Sequence, residues 1–244
     1  MKKTNLFLAI IGMTLLLTSC LGDGNSNYSE ASVAYIAMDN ASSKIYGRTL
    51  TGRLITSAQM QGMTPGTFQF LRYSWEEEYG EEKIGDKYAD KVVISGDPKL
   101  ISRADLIMAD PPVVETPDKF LAIDPPYYAA DEIYLGDHWL FQYAYEYKKG
   151  QTVSLEFYKI NKEGANDDEV FIEIHLVIDG TPEAGASTTS GSDIIALNMA
   201  PIRAMYEGTS QTNTKDIKIQ FRYYLKNRND IVDSNVYKMR VAGD

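Results

Sequence analysis

Trp139-Leu140-Phe141-Gln142-Tyr143-Ala144-Tyr145-Glu146-Tyr147 puts an aromatic ring at every second position. That period belongs to a strand with one face on a core and the other turned toward solvent. Lys148-Lys149-Gly150-Gln151 then supplies turn chemistry, and Val153, Leu155 and Phe157 alternate with Thr152, Ser154 and Glu156. The pattern predicts a hairpin. After polar residues 161–168, the alternation resumes with Val170, Ile172, Ile174, Leu176 and Ile178; residues 181–192 read as a Gly/Ser/Thr loop. A shorter strand is expected at 193–199, a long one through Ile217, Ile219, Phe221, Tyr223 and Leu225, and a closing one at 235–241. No long amphipathic helix interrupts them. Residues 132–244 are therefore expected to form an antiparallel β-sandwich domain.

Upstream, Val33, Tyr35 and Ala37 alternate with Ala34, Ile36 and Met38 before the turn residues Asp39-Asn40-Ala41-Ser42-Ser43. Alternation returns over 67–75, and a hydrophilic loop over 76–87 leads to Val92-Val93-Ile94. About five short strands in 31–108 suit a small barrel or β-roll; 102–108 reads as a helical or extended exit. Between the two β regions, residues 109–131 hold Pro111, Pro112, Pro117, Pro125 and Pro126. Proline cannot donate a ladder hydrogen bond, so this segment reads as a semi-rigid linker between domains.

The N-terminus carries an address. Lys2 and Lys3 precede a short apolar run from Leu6 to Leu17, and Leu17-Thr18-Ser19-Cys20 ends in the only cysteine of the chain. The run is too short and interrupted for a span of about 20 apolar residues, and it fits a lipoprotein signal peptide, 1–19, cleaved before a lipidated Cys20. Residues 20–30 then form a Gly/Asn/Ser-rich flexible tether. Membrane attachment is expected through the lipid anchor, without a crossing.

The 244 residues carry a formal net charge of −10, and loss of Lys2 and Lys3 with the signal would make it more negative. No basic cluster appears, so nucleic acid is not an expected partner. With no second cysteine there is no disulfide to supplement packing.

Catalytic and metal chemistry find few parts. The two histidines, His138 and His175, lack metal-ligand spacing and read as ordinary surface or edge residues. No Gly-x-Ser-x-Gly elbow occurs, and the lone cysteine is committed to lipid. Asn166-Asp167-Asp168-Glu169 and Glu76-Glu77-Glu78 offer oxygens without the alternation and central glycine of a calcium loop, so both read as solvated loops. No metal and no cofactor is expected. The exposable aromatics are Trp75, Tyr127, Tyr128 and Trp139, which could stack on sugar rings or anchor a protein; the competing reading places Trp139 in the core.

The lipobox, the Pro-rich segment, Ile133-Tyr134-Leu135-Gly136-Asp137-His138-Trp139-Leu140 and Val170-Phe171-Ile172-Glu173-Ile174-His175-Leu176 resemble a NigD-like lipoprotein of the Bacteroidota. The resemblance implies an N-terminal OB-like barrel followed by the sandwich, and an association with bacteriocin-type loci. It carries no catalytic residues, and the 76–87 segment is longer and more acidic than the family leads one to expect. The function expected is that of a non-catalytic cell-envelope lipoprotein binding a protein partner, with a surface glycan-binding lipoprotein as the alternative. The resemblance also carries over a sorting logic under which Leu21 after the cysteine implies the outer membrane, facing either the periplasm or the surface.

Overall fold

The computed structural model describes residues 27–129, 132–209 and 213–243. The expected signal peptide, Cys20 and most of the tether lie outside them. The chain is all-β and divides into two compact units between Leu100 and Ile101.

The first unit runs through β1 (Tyr28–Met38), β2 (Ile45–Thr49), β3 (Leu54–Thr56), β4 (Phe68–Trp75), β5 (Glu81–Ile84), β6 (Lys87–Lys91) and β7 (Val93–Ile94). β1 is central, pairing antiparallel with both β2 and β4, and so it is buried on both faces at Val33, Ala34, Ile36 and Ala37. β2 pairs with β3, β3 runs parallel to β6, and β7, one residue beyond β6, pairs with β4. The order β1-β2-β3-β6/β7-β4 thus returns to β1, the circuit of a five-stranded OB-like barrel. Its core holds Ala34, Ile36, Ile55, Met60, Leu71, Tyr73 and Val92. Gly47 sits where a Cβ would come within 2.8 Å of the Met60 methyl, 3.1 Å of Ile55 and 3.3 Å of Ala34 Cβ, so a larger residue there requires those core side chains to shift. The 76–87 stretch is not one loop: it contains a single 3₁₀ turn, Glu77–Tyr79, and β5.

The second unit contains β8 (Lys99–Ile107), β9 (Ala122–Ile123), helix α1 (Glu132–Leu135), β10 (His138–Lys148), β11 (Thr152–Ile160), β12 (Glu169–Asp179), β13 (Thr188–Asn198), helix α2 (Ala200–Tyr206), β14 (Thr214–Tyr224) and β15 (Ile231–Ala242). One layer pairs β9, β10 and β13; the other runs β11, β12, β14, β15. β8 serves both: Ser102–Asp105 run parallel to β13, and Leu106 and Ile107 run parallel to β11. It is a corner strand that turns from one sheet into the other. Most pairs in this sandwich are antiparallel; β8 and the β12–β14 pair add parallel contacts that strand periodicity cannot reveal.

Two sequence expectations are corrected here. β10 and β11 do not form a hairpin, because β10 pairs with β13 and β9 while β11 pairs with β12 and β8. The turn at 149–151 carries the chain across the core instead. Gly150, at φ +94°, lies against the Thr181 carbonyl, and the Lys149 carbonyl accepts the Glu183 N–H at 2.8 Å. Alternation reports which face is apolar, not which strand lies alongside.

The Pro-rich segment 109–131 is likewise no spacer, since it belongs to the second unit. Asp118 bridges to Leu176 and accepts the Ile178 N–H on its carboxylate. Phe120 exchanges backbone hydrogen bonds with Tyr224 and Lys226; Leu121 and Asp124 donate to carbonyls of Ala144 and Gln142 on β10. Residues 118–124 are thus a strap from one sheet to the other. Its buried anchor, Phe120, is wholly inaccessible and meets Tyr143 and Tyr223 edge-on at 6.0 and 6.3 Å.

Phe120→Ala removes that plug and leaves a cavity, which costs about 3–5 kcal/mol in comparable cores. Urea unfolding of the mature chain is expected to show the second unit melting at lower denaturant; an unchanged midpoint would contradict the strap's role.

Candidate functional site

Three of the four aromatic candidates are used in packing. Trp139, on β10, is only 4% exposed. Tyr128 stacks on it at 4.2 Å with a 15° interplanar angle, and Tyr237 meets both rings edge-on. Trp75 stacks on Tyr28 at 5.5 Å and donates its Nε1–H to the Gly80 carbonyl at 3.3 Å. Tyr127 remains 42% exposed, with backbone bonds both ways to Leu140. The structure brings Tyr128 and Trp139 together and places Trp75 in the other unit. Cys20 lies outside the described residues.

Beside Trp139 the chain makes a sharp entry into β10. Gly136 and Asp137 both take positive φ, 59° and 58°, a region an aspartate adopts at a cost. Contacts hold it there: Arg203 Nε donates to both Asp137 carboxylate oxygens at 2.7 and 2.8 Å, and the Asp137 carbonyl accepts the Met199 N–H at 2.8 Å. Arg203 Nη1 donates to the Arg240 carbonyl at 2.7 Å. The pair therefore pins α2 to the start of β10 and to β15. A cavity of about 150 Å³ lies beside it, between Tyr128, Leu135, Lys238 and Arg240. That volume holds a few waters, and the charged groups around it are committed to one another, Asp216 pairing with both Lys238 and Arg240.

Neither histidine is a surface residue: His138 is 7% and His175 8% exposed. They also sit in different layers, on β10 and β12. His138 Nδ1 lies 2.6 Å from the Gly136 carbonyl and 3.2 Å from that of Leu135, so Nδ1 carries the proton that is donated to them. Burial, followed by the nearby Arg103 guanidinium, holds its pKa below the ordinary histidine value. His175 Nε2 contacts Glu173 at 2.8 Å, and Tyr158 donates to Glu156 at 2.6 Å on the neighbouring strand. Among the described residues, no group of three His, Cys, Asp or Glu side chains is placed to hold a metal ion. The carboxylates of the 166–169 turn are partnered: Asp168 pairs with Lys218 on β14 at 2.9 Å and Glu169 accepts the Asn166 N–H. Both carboxyls are held below their usual range, Asp168 chiefly by Lys218 and Glu169 by Asn166.

A concavity of about 640 Å³ lies on the first unit. Ala58, Val92 and Val93 form its apolar lining and Lys44, Glu82 and Lys91 its charged rim, with Lys44 and Glu82 ion-paired at 2.5 Å. Sequence reasoning missed it because its walls come from four separated stretches. The one local signal was Val93, read as a strand residue, which stays 51% exposed.

No protein-family model matches the sequence, and no curated protein does. Solved structures do. A protein from Parabacteroides merdae superposes with a TM-score of 0.57 at 10% identity, covering 86% of this chain and 98% of that one. A candidate lipoprotein from Bacteroides fragilis gives 0.56 at 11%, covering 88% and 99%. The chain shares the fold of these Bacteroidales proteins. A NigD-like immunity protein from Bacteroides caccae is also similar, at 0.49 and 11% identity over 86% and 97%. Among the described residues no helix is long and apolar enough to cross a membrane.

Because the His138 pKa is depressed in the folded state, the unfolded chain binds the extra proton more readily. His138 thus contributes stability that is present above about pH 6.5 and is lost as the pH falls toward its folded pKa. Unfolding midpoints measured from pH 7.5 to 5 are expected to decline, and His138→Gln to flatten that decline; identical slopes would contradict it.

Proposed function

We propose that this chain is a non-catalytic cell-envelope lipoprotein, held on the outer membrane by an acylated Cys20, whose β units bind another envelope or secreted protein. One observation carries the reading: the Leu17-Thr18-Ser19-Cys20 lipobox precedes a fold that covers 99% of the B. fragilis candidate lipoprotein. The NigD-like resemblance adds a partner class, the proteins of bacteriocin-type systems. More than one acyl chain, each methylene worth about 0.8 kcal/mol, makes such an anchor stable.

The glycan alternative loses ground. Trp139 and Tyr128 are stacked together in the sandwich and Trp75 is stacked on Tyr28, which leaves Tyr127 alone well exposed, and a single ring is a weak sugar platform.

Crosslinking in intact cells followed by detergent solubilisation is expected to give one recurrent, stoichiometric protein adduct, absent from a Cys20→Ser strain in which the protein no longer reaches its membrane. Repeated recovery of the bare monomer would count against a partner. Turnover of a chromogenic glycoside or ester panel, abolished by changing one acid, would replace the reading with an enzymatic one.

A further inference from the structure

The first strand begins close behind the lipobox, and its first residue is clamped. Tyr28 stacks on Trp75, lies under the Arg53 guanidinium at 3.9 Å and donates its hydroxyl to Asp90 at 2.5 Å. Asn27 is held as well, its side-chain oxygen accepting the Glu77 N–H at 3.2 Å. The point where the tether meets the barrel is therefore fixed on the barrel's own frame. Between Cys20 and Tyr28 the sequence has eight residue steps, which reach at most about 28 Å when fully extended. β1 itself, with 11 residues, is about 36 Å long. Tyr28, at the tethered end of β1, therefore stays within about 28 Å of the anchor, whereas the far end of β1 is not held so.

We propose that the barrel end carrying Tyr28 and Trp75 faces the membrane, and that the opposite end, with the 39–44 turn and residues 57–66, is turned away from it. The proposal rests on lipidation at Cys20. The membrane-facing end has a charge consequence. Glu30 and Asp90 flank Arg53, Glu81 lies opposite Asp90 in the β5–β6 pair, Glu77 and Glu78 lie in the 3₁₀ turn held by Asn27, and Glu77, Glu78 and Glu81 are exposed. An anionic leaflet repels such an end over a Debye length, about 8 Å at physiological salt and about 30 Å at 0.01 M. At low salt the repulsion reaches as far as the tether does, so an anionic surface holds the barrel off the headgroups and a neutral one lets it settle.

Cys20 is the only thiol in the chain, so the mature protein can be coupled to a maleimide lipid in vesicles that carry a dansyl headgroup acceptor. The readout is energy transfer from Trp75, isolated by difference from Trp75→Phe, which keeps a ring on Tyr28. On phosphatidylcholine vesicles, transfer from Trp75 is expected when the anchor is Cys20. It is expected to be lost when the anchor moves to the far turn in a Cys20→Ser/Ala41→Cys chain. Equal transfer from both anchors would overturn the orientation. Adding phosphatidylglycerol at low ionic strength is expected to reduce transfer, salt to restore it, and Glu77→Gln/Glu78→Gln/Glu81→Gln to remove the dependence on lipid charge; transfer indifferent to lipid charge would overturn the stand-off. The coupling is chemical, so a negative result here speaks to geometry, whereas failed acylation in cells speaks to the lipoprotein reading.

Discussion

The second unit depends on how its two sheets are closed at their sides. Two layers of strands expose backbone edges wherever a ladder ends, and an unpaired edge invites association with other chains. Here the corner strand β8 hands over from β13 to β11 in mid-course, and the Phe120 strap passes between β12, Leu225 and β10. With no disulfide to assist, these crossings join the layers around a core in which Trp139, Phe141, Phe157 and Phe221 meet ring to ring. At β15, the last strand of its sheet, the Arg240 and Ala242 carbonyls accept hydrogen bonds from Arg203 Nη1 and the Gly208 N–H, which caps that stretch of the edge.

That closure accounts for the fate of the aromatic residues. A sandwich without disulfides needs large apolar area, and Trp139 and Tyr128 are drawn into supplying it. The strained Gly136-Asp137 entry and its Arg203 clamp then follow, since β10 must start abruptly for Trp139 to reach the core while α2 stays docked. In the barrel, the same economy gives Tyr28 and Trp75 a joint structural role at the tether's point of attachment.

Much of this was legible in the sequence. Period-two runs at 139–147, 170–178 and 217–225 gave the faces of β10, β12 and β14 that line the core; they did not show that Leu140 and Ala144 on β10, and Phe171 and His175 on β12, are buried on the opposite faces. What the sequence could not show was adjacency. Four turn residues after Tyr147 serve a hairpin and a crossing between layers equally well, so β10 was paired with the wrong neighbour. Five prolines in 109–131 were a sound reason to expect missing ladder bonds, yet Phe120 between them was the sign of a buried strap. The histidines misled for a related reason: His138 follows a Gly-Asp turn, which usually means exposure, and here the turn folds back so that carbonyls of 135 and 136 receive its proton. The groove on the barrel was invisible because Lys44, Ala58, Glu82 and Val93 meet only after the strands close.

Whether Cys20 is the mature, acylated N-terminus of an envelope protein is tested most directly by mass spectrometry of the N-terminal peptide from the membrane fraction. A peptide beginning at Cys20 and bearing diacylglyceryl and acyl mass is the result expected. A chain that retains residues 1–19, or one cleaved elsewhere with an unmodified thiol at Cys20, would contradict it.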